Sequence, residues 1–115
     1  MIPLVRDSIF ITMELEKLRK FYYALSDEVR LKIISLLSKK GELCVCELQS
    51  FFGISQPNLS FHLRVLKEAN LVRTQRRGKW VYYRLNEDNE LLRANLKFIN
   101  SLGLEVPEET ACELT

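Results

Sequence analysis

Ser55-Gln56-Pro57-Asn58-Leu59-Ser60-Phe61-His62-Leu63-Arg64-Val65-Leu66, with Leu71-Val72-Arg73-Thr74-Gln75-Arg76-Arg77-Gly78-Lys79-Trp80-Val81-Tyr82-Tyr83-Arg84-Leu85 close behind, decides the fold. Ser55 is an N-cap residue and Pro57 falls in the first turn, where a missing N–H costs little. Leu59, Leu63 and Leu66 recur at steps of four and three, the buried stripe of a helix running from about Ser55 to Ala69. Asn70 suits the left-handed position at its end. The period then changes. Leu71–Arg76 and Lys79–Leu85 are rich in Val, Tyr, Trp and Thr, with Arg77-Gly78 between them, which predicts a β-hairpin.

Upstream, Ile11, Leu15, Leu18, Tyr22 and Leu25 mark a first helix within Ile9–Leu25. Ser26-Asp27 caps a second, from about Glu28 to Ser38, closed by Gly41. A short third helix is predicted over Cys44–Phe52 and ended by Gly53. Downstream of the hairpin, a last helix is predicted over Glu87–Ser101, and an acidic tail follows.

The third and fourth helices are joined by a very short glycine-containing turn, a helix-turn-helix pattern with the hairpin as its wing. The expected fold is mainly α with a small β-hairpin, a winged helix-turn-helix of order α-α-α-α-β-β-α. Residues 1–103 form the folded domain in this reading and 104–115 the tail. The first and last helices carry more apolar residues than one stripe needs. A chain of 115 residues has little interior left for them, so they are expected to bury each other in a homodimer.

Charge narrows the function. Seven basic residues stand against one acid between Ser55 and Leu85, whereas Asn86–Thr115 holds seven acids against two basic residues, in a chain of net charge +2. A compact basic block in a nearly neutral chain is the footprint of a polyanion partner. A recognition helix meets base edges with its N-terminal half. The candidate DNA-binding residues are therefore Ser55, Gln56, Asn58, Ser60, Phe61, His62 and Arg64, with Arg76, Arg77 and Lys79 on the wing. Gln and Asn pair bidentately with adenine, and Phe61 can pack on a thymine methyl. Wing cations reach phosphates or the minor groove. Taken singly, each has a plainer alternative: His62 as a capped or half-buried core histidine, Phe61 as packing against the wing, and the wing arginines as a solubilising turn.

Cys44-Val45-Cys46 is the other chemically loaded spot, because two thiols this close are ligands for soft, thiophilic ions. Residues i and i+2 of a regular helix lie about 200° apart. Shared binding is therefore expected to unwind the first turn of the third helix, next to the reading helix. Cys112, in the acidic tail, is a candidate third thiolate. Small buried hydrophobes are the alternative for Cys44 and Cys46, and a free surface thiol for Cys112. No disulfide framework, signal peptide or apolar run of about 20 residues is present in the sequence. A cytoplasmic protein with no membrane partner is expected. No general base stands beside a nucleophile and no phosphate-cradling loop is visible, so no enzyme and no organic cofactor are expected.

Four blocks carry a resemblance to a known family: Ala24-Leu25-Ser26-Asp27-Glu28-Val29-Arg30-Leu31, Gly41-Glu42-Leu43-Cys44-Val45-Cys46-Glu47-Leu48, Ile54–Leu63 and Gly78–Leu85. In these the chain resembles the ArsR/SmtB family of metal-responsive repressors, in particular its arsenic-responsive ArsR branch. The resemblance implies a repressor that binds operator double-stranded DNA and is released when As(III) or Sb(III) binds Cys44 and Cys46. The chain departs from the pattern in places. Gln49 stands where many arsenic-responsive members have a third cysteine, and Phe61 where the reading helix usually has Arg or Lys. His62 is the sole histidine, so the family's Asp/His zinc site is absent. A repressor switched by oxidation of Cys44 with Cys46, and a CxC metal carrier that binds no DNA, are the competing readings.

Overall fold

The computed structural model describes residues 5–104. The order is α1 (Val5–Ala24), α2 (Glu28–Lys40), β1 (Glu42–Cys44), α3 (Val45–Phe52), α4 (Gln56–Glu68), β2 (Val72–Arg77), β3 (Trp80–Leu85) and α5 (Glu90–Ser101).

Local chemistry fixes most boundaries. The Asp27 carboxylate accepts from the Arg30 amide at 3.1 Å and opens α2, and the Ser55 hydroxyl accepts from the Asn58 amide at 3.3 Å and opens α4. Gly53, at φ 60°, turns the chain between α3 and α4, a left-handed conformation that glycine adopts without a Cβ clash. Asn70, at φ 63°, does the same after α4. The α5 cap is Asn89, whose side chain accepts from the Leu92 amide at 3.0 Å. That helix therefore starts three residues later than its sequence suggests, because Glu87 and Asp88 belong to the turn before it.

The hairpin pairs Arg77 with Trp80 across a Gly78–Lys79 loop. Gly78 has φ 61°, the sign a two-residue hairpin turn needs at its first central position. A third strand joins it. β1 pairs antiparallel with β3, in the register Glu42↔Arg84, Leu43↔Tyr83 and Cys44↔Tyr82. The sheet order is β1-β3-β2. Sequence alone gives Glu42 and Leu43 no element and assigns Cys44 to the start of the third helix, since a three-residue strand carries no period to read.

The core lies between α2, α4 and the sheet. Ile33, Leu37, Leu48, Leu59 and Leu66 are all but fully buried there. α1 behaves differently. Among its residues of described burial only Phe21 and Ala24 near its end are buried, whereas Ile11, Leu15 and Tyr22 of the expected stripe are 57–63% exposed. Phe98 of α5 and Leu102 just after it are also exposed. No helix of the described residues is long and apolar enough to cross a membrane.

Candidate nucleic-acid interface and thiol site

Gln56, Asn58, Ser60, Phe61 and Arg64 line the exposed side of α4, opposite the buried Leu59, Leu63 and Leu66. Ser55 spends its hydroxyl on the helix cap. His62 is turned inward. Its side chain is 15% exposed, and its Nδ1 lies 3.0 Å from an Arg30 guanidinium nitrogen. Phe61 stacks edge-on against it with ring centroids 5.6 Å apart. The Arg64 guanidinium lies 5.9 Å from the Phe61 ring centre.

The wing presents its cations unequally. Lys79 sits at the loop over the Trp80 ring, 5.2 Å from its centre, and Arg76 donates to the Gly78 carbonyl at 3.2 Å. Arg77 is committed elsewhere. Its Nη1 lies 2.7 Å from Glu42 Oε1, and its Nη2 donates to Glu42 Oε2 at 3.0 Å and to Gln75 Oε1 at 2.9 Å. Its guanidinium also lies 4.5 Å from the centre of the Tyr82 ring. A guanidinium meeting both carboxylate oxygens is the geometry in which such pairs are strongest. Arg77 thus ties the wing to β1.

The two cysteines straddle a boundary. Cys44 ends β1 and caps α3 in an extended conformation, φ −83° and ψ 163°, with its side chain fully buried. Its amide donates to Glu47 Oε1 at 3.1 Å, half of a capping box. Cys46 is half-buried in the first turn of α3. The helical spacing expected between the two sulfurs therefore does not hold, because only Cys46 lies in the helix. Cys44 is a free thiol. Among the described residues no group of three or more His, Cys, Asp or Glu side chains is placed to hold a metal ion. Cys112, and the tail beyond Leu104, lie outside the described residues.

Sequence reasoning missed two residues. Arg30 is buried to 4% exposure. The buried positions Ile33, Ile34 and Leu37 of α2, extended one turn back, land on it, which is the signal that marks it. Glu42 carries no such signal, because its partner Arg77 is set by strand register.

A helix-turn-helix backed by a β-wing, with a polar reading face and basic wing, defines a winged-helix DNA-binding regulator. The family model described as "Bacterial regulatory protein, arsR family" matches residues 27–74. The arsenical resistance operon repressor of Bacillus subtilis is 42% identical over 76 residues, 64% of this chain and 72% of that protein. That of Escherichia coli is 48% identical over 67 residues, 58% of this chain and 57% of that protein. The match thus spans from just over half to nearly three quarters of these relatives' length. The solution structure of a homodimeric winged helix-turn-helix domain from Mycobacterium bovis, titled a possible ArsR-family regulator, superposes with a TM-score of 0.70. It is 28% identical, and the match covers 91% of this chain and 94% of that one. The chain belongs to the arsR family of bacterial regulatory proteins. It is a DNA-binding transcriptional regulator, not an enzyme.

Proposed function

We propose that the chain is a cytoplasmic, homodimeric repressor of a metalloid-resistance operon, released from its operator when As(III) or Sb(III) binds Cys44 and Cys46. The observation that carries this reading is the position of the thiol pair: Cys44 is at once the last residue of β1 and the cap of α3. Two thiolates are the donors a soft ion selects. Both must be reduced to serve, and the remaining ligand falls to Cys112 or to a small thiol. The names of the relatives support arsenic as the element sensed.

The chain's own residues supply the coupling. In this reading, bringing the fully buried Cys44 sulfur to an ion shared with Cys46 draws Cys44 from its seat and strains its pairing with Tyr82. That disturbs the cap of α3, which packs against α4. It also disturbs β1, which is bonded to the wing through β3 and through Glu42–Arg77. The operator contacts fall to Gln56, Asn58, Ser60, Phe61 and Arg64 in the major groove, with Arg76 and Lys79 on phosphates. Ser55 and its neighbouring amides fit a phosphate at the start of α4. The exposed α1 stripe with Phe98 of α5 and Leu102 just after it supports pairing of two copies through these helices.

A gel-shift on the promoter upstream of its own gene, using reduced protein with and without arsenite, tests the reading. Wild type is expected to bind and to let go on arsenite. Cys44→Ser and Cys46→Ser are expected to bind equally well and stay bound. Release of both variants by arsenite removes the thiol site, and indifference of the wild type removes the sensing function.

A further inference from the structure

Arg30 is the one buried cation in the described core, and its guanidinium is held by groups on two other helices. Its Nε donates to the Ala24 carbonyl at 2.7 Å and its Nη2 to the Tyr23 carbonyl at 3.1 Å. These are last-turn carbonyls of α1, which have no partner within their helix. Its Nη1 lies 3.0 Å from His62 Nδ1. The guanidinium carbon sits 5.1 Å from the centre of the Tyr23 ring and 6.0 Å from that of Phe61. One side chain on α2 therefore joins the end of α1 to the middle of α4.

We propose that Arg30 is a positioning residue for DNA recognition: it holds His62 as the Nε2–H tautomer, so that the ring offers a neutral N–H donor to the operator backbone. This rests on the reading of α4 as the operator-facing helix. A guanidinium has five donors and no acceptor. The ring nitrogen facing it at hydrogen-bond distance must therefore be the acceptor, and a neutral imidazole accepting at Nδ1 carries its proton on Nε2. The other charged group nearby does not compete. Asp27 Oδ2 is 3.7 Å from His62 Nδ1, too far for a hydrogen bond, and it accepts the Arg30 amide instead. With Nδ1 turned to the buried Arg30, the opposite ring edge is the one left for the small exposed part of the side chain. His62 itself follows Phe61 on α4, between the exposed Phe61 and Arg64.

Ring nitrogen NMR and two substitutions test this. His62 is the sole histidine, so ¹⁵N-labelled full-length protein gives a single set of imidazole signals. The expected result in the free wild type is an unprotonated Nδ1 and a protonated Nε2, with the fixed tautomer lost in Arg30→Met. His62→Asn keeps an acceptor on the Nδ1 side and removes the outer donor. Its operator affinity is expected to fall about tenfold. A neutral donor releases no counterion, so its salt dependence should match wild type. His62→Gln, with an amide at the Nε2 distance, should recover most of the affinity. A ring protonated on Nδ1 in the free wild type overturns the proposal, as does a shallower salt slope in His62→Asn, which would mark His62 as a cation on DNA. Should Arg30→Met fail to fold, the wild-type spectrum and the two His62 variants decide. Gln56→Ala, measured alongside, separates the two levels. If it weakens binding while His62→Asn does not, the proposal alone falls. If neither weakens binding, the operator-facing reading of α4 falls and takes the proposal with it.

Discussion

Glu42→Gln is expected to tighten binding to DNA, although it removes an ion pair. In the free protein the Arg77 guanidinium is held by both Glu42 oxygens, at 2.7 and 3.0 Å. The side chains are 48% and 28% exposed, so water screens the pair and it is worth about 1 kcal/mol at most. That holds Arg77 back from other partners by roughly fivefold. Glutamine keeps the shape and loses the charge, which frees Arg77 for a phosphate beside the wing. Each additional neutralised phosphate steepens log Kd against log salt by about 0.9. Fluorescence anisotropy on a labelled duplex across a KCl series reads both effects. For each subunit on the DNA, Glu42→Gln should gain up to about fivefold at low salt and about 0.9 in slope. Arg77→Ala, which loses a residue already occupied, should keep the wild-type slope. Thermal stability of Glu42→Gln should drop by no more than about 8 °C, the upper end for 1 kcal/mol in a domain of this size. Equal slopes for Glu42→Gln and wild type, together with a shallower slope for Arg77→Ala, would refute the reasoning. They would mean that Arg77 leaves Glu42 for DNA without help.

The other predictions concern separate parts of the molecule. Lys79→Ala should weaken binding to all sequences alike and reduce the salt slope by about 0.9 for each subunit bound, as read in the same anisotropy series. Leu15→Glu places a charge on the exposed stripe of α1 and should shift the protein from dimer to monomer in sedimentation, with its far-ultraviolet dichroism unchanged. Burial raises the Tyr83 phenol above its ordinary 10.0, so folded protein keeps this proton where unfolded chain has lost it. Stability should therefore fall as pH climbs above about 10. Spectrophotometric titration should show one late-ionising tyrosine, absent in Tyr83→Phe.

The helices and wing were legible because long periodic segments announce themselves. Leu59, Leu63 and Leu66 mark the buried side of α4, and the Val/Tyr/Trp run marks the hairpin. The cap residues Asp27 and Ser55 were legible for the same reason, since their oxygens complete a local bond. What escaped reading depends on contacts distant in sequence. β1 exists because Leu43 finds Tyr83, and its presence moves Cys44 out of α3 and cancels the helical-spacing argument for the two sulfurs. Arg77 reads as a free wing cation until the register brings Glu42 across the sheet. His62 reads as a surface reader until Arg30, on another helix, turns it inward.

The seat of Cys44 sets a tempo. A thiol with no exposed surface meets an incoming ion only while the edge of the sheet is parted. Under the proposed function, derepression after a sudden dose then has a ceiling rate fixed by the protein's own breathing. Raising the dose further fills more molecules without making any one of them respond sooner. A brief trace of toxin that passes between openings goes unanswered, and the resistance genes stay quiet unless exposure lasts.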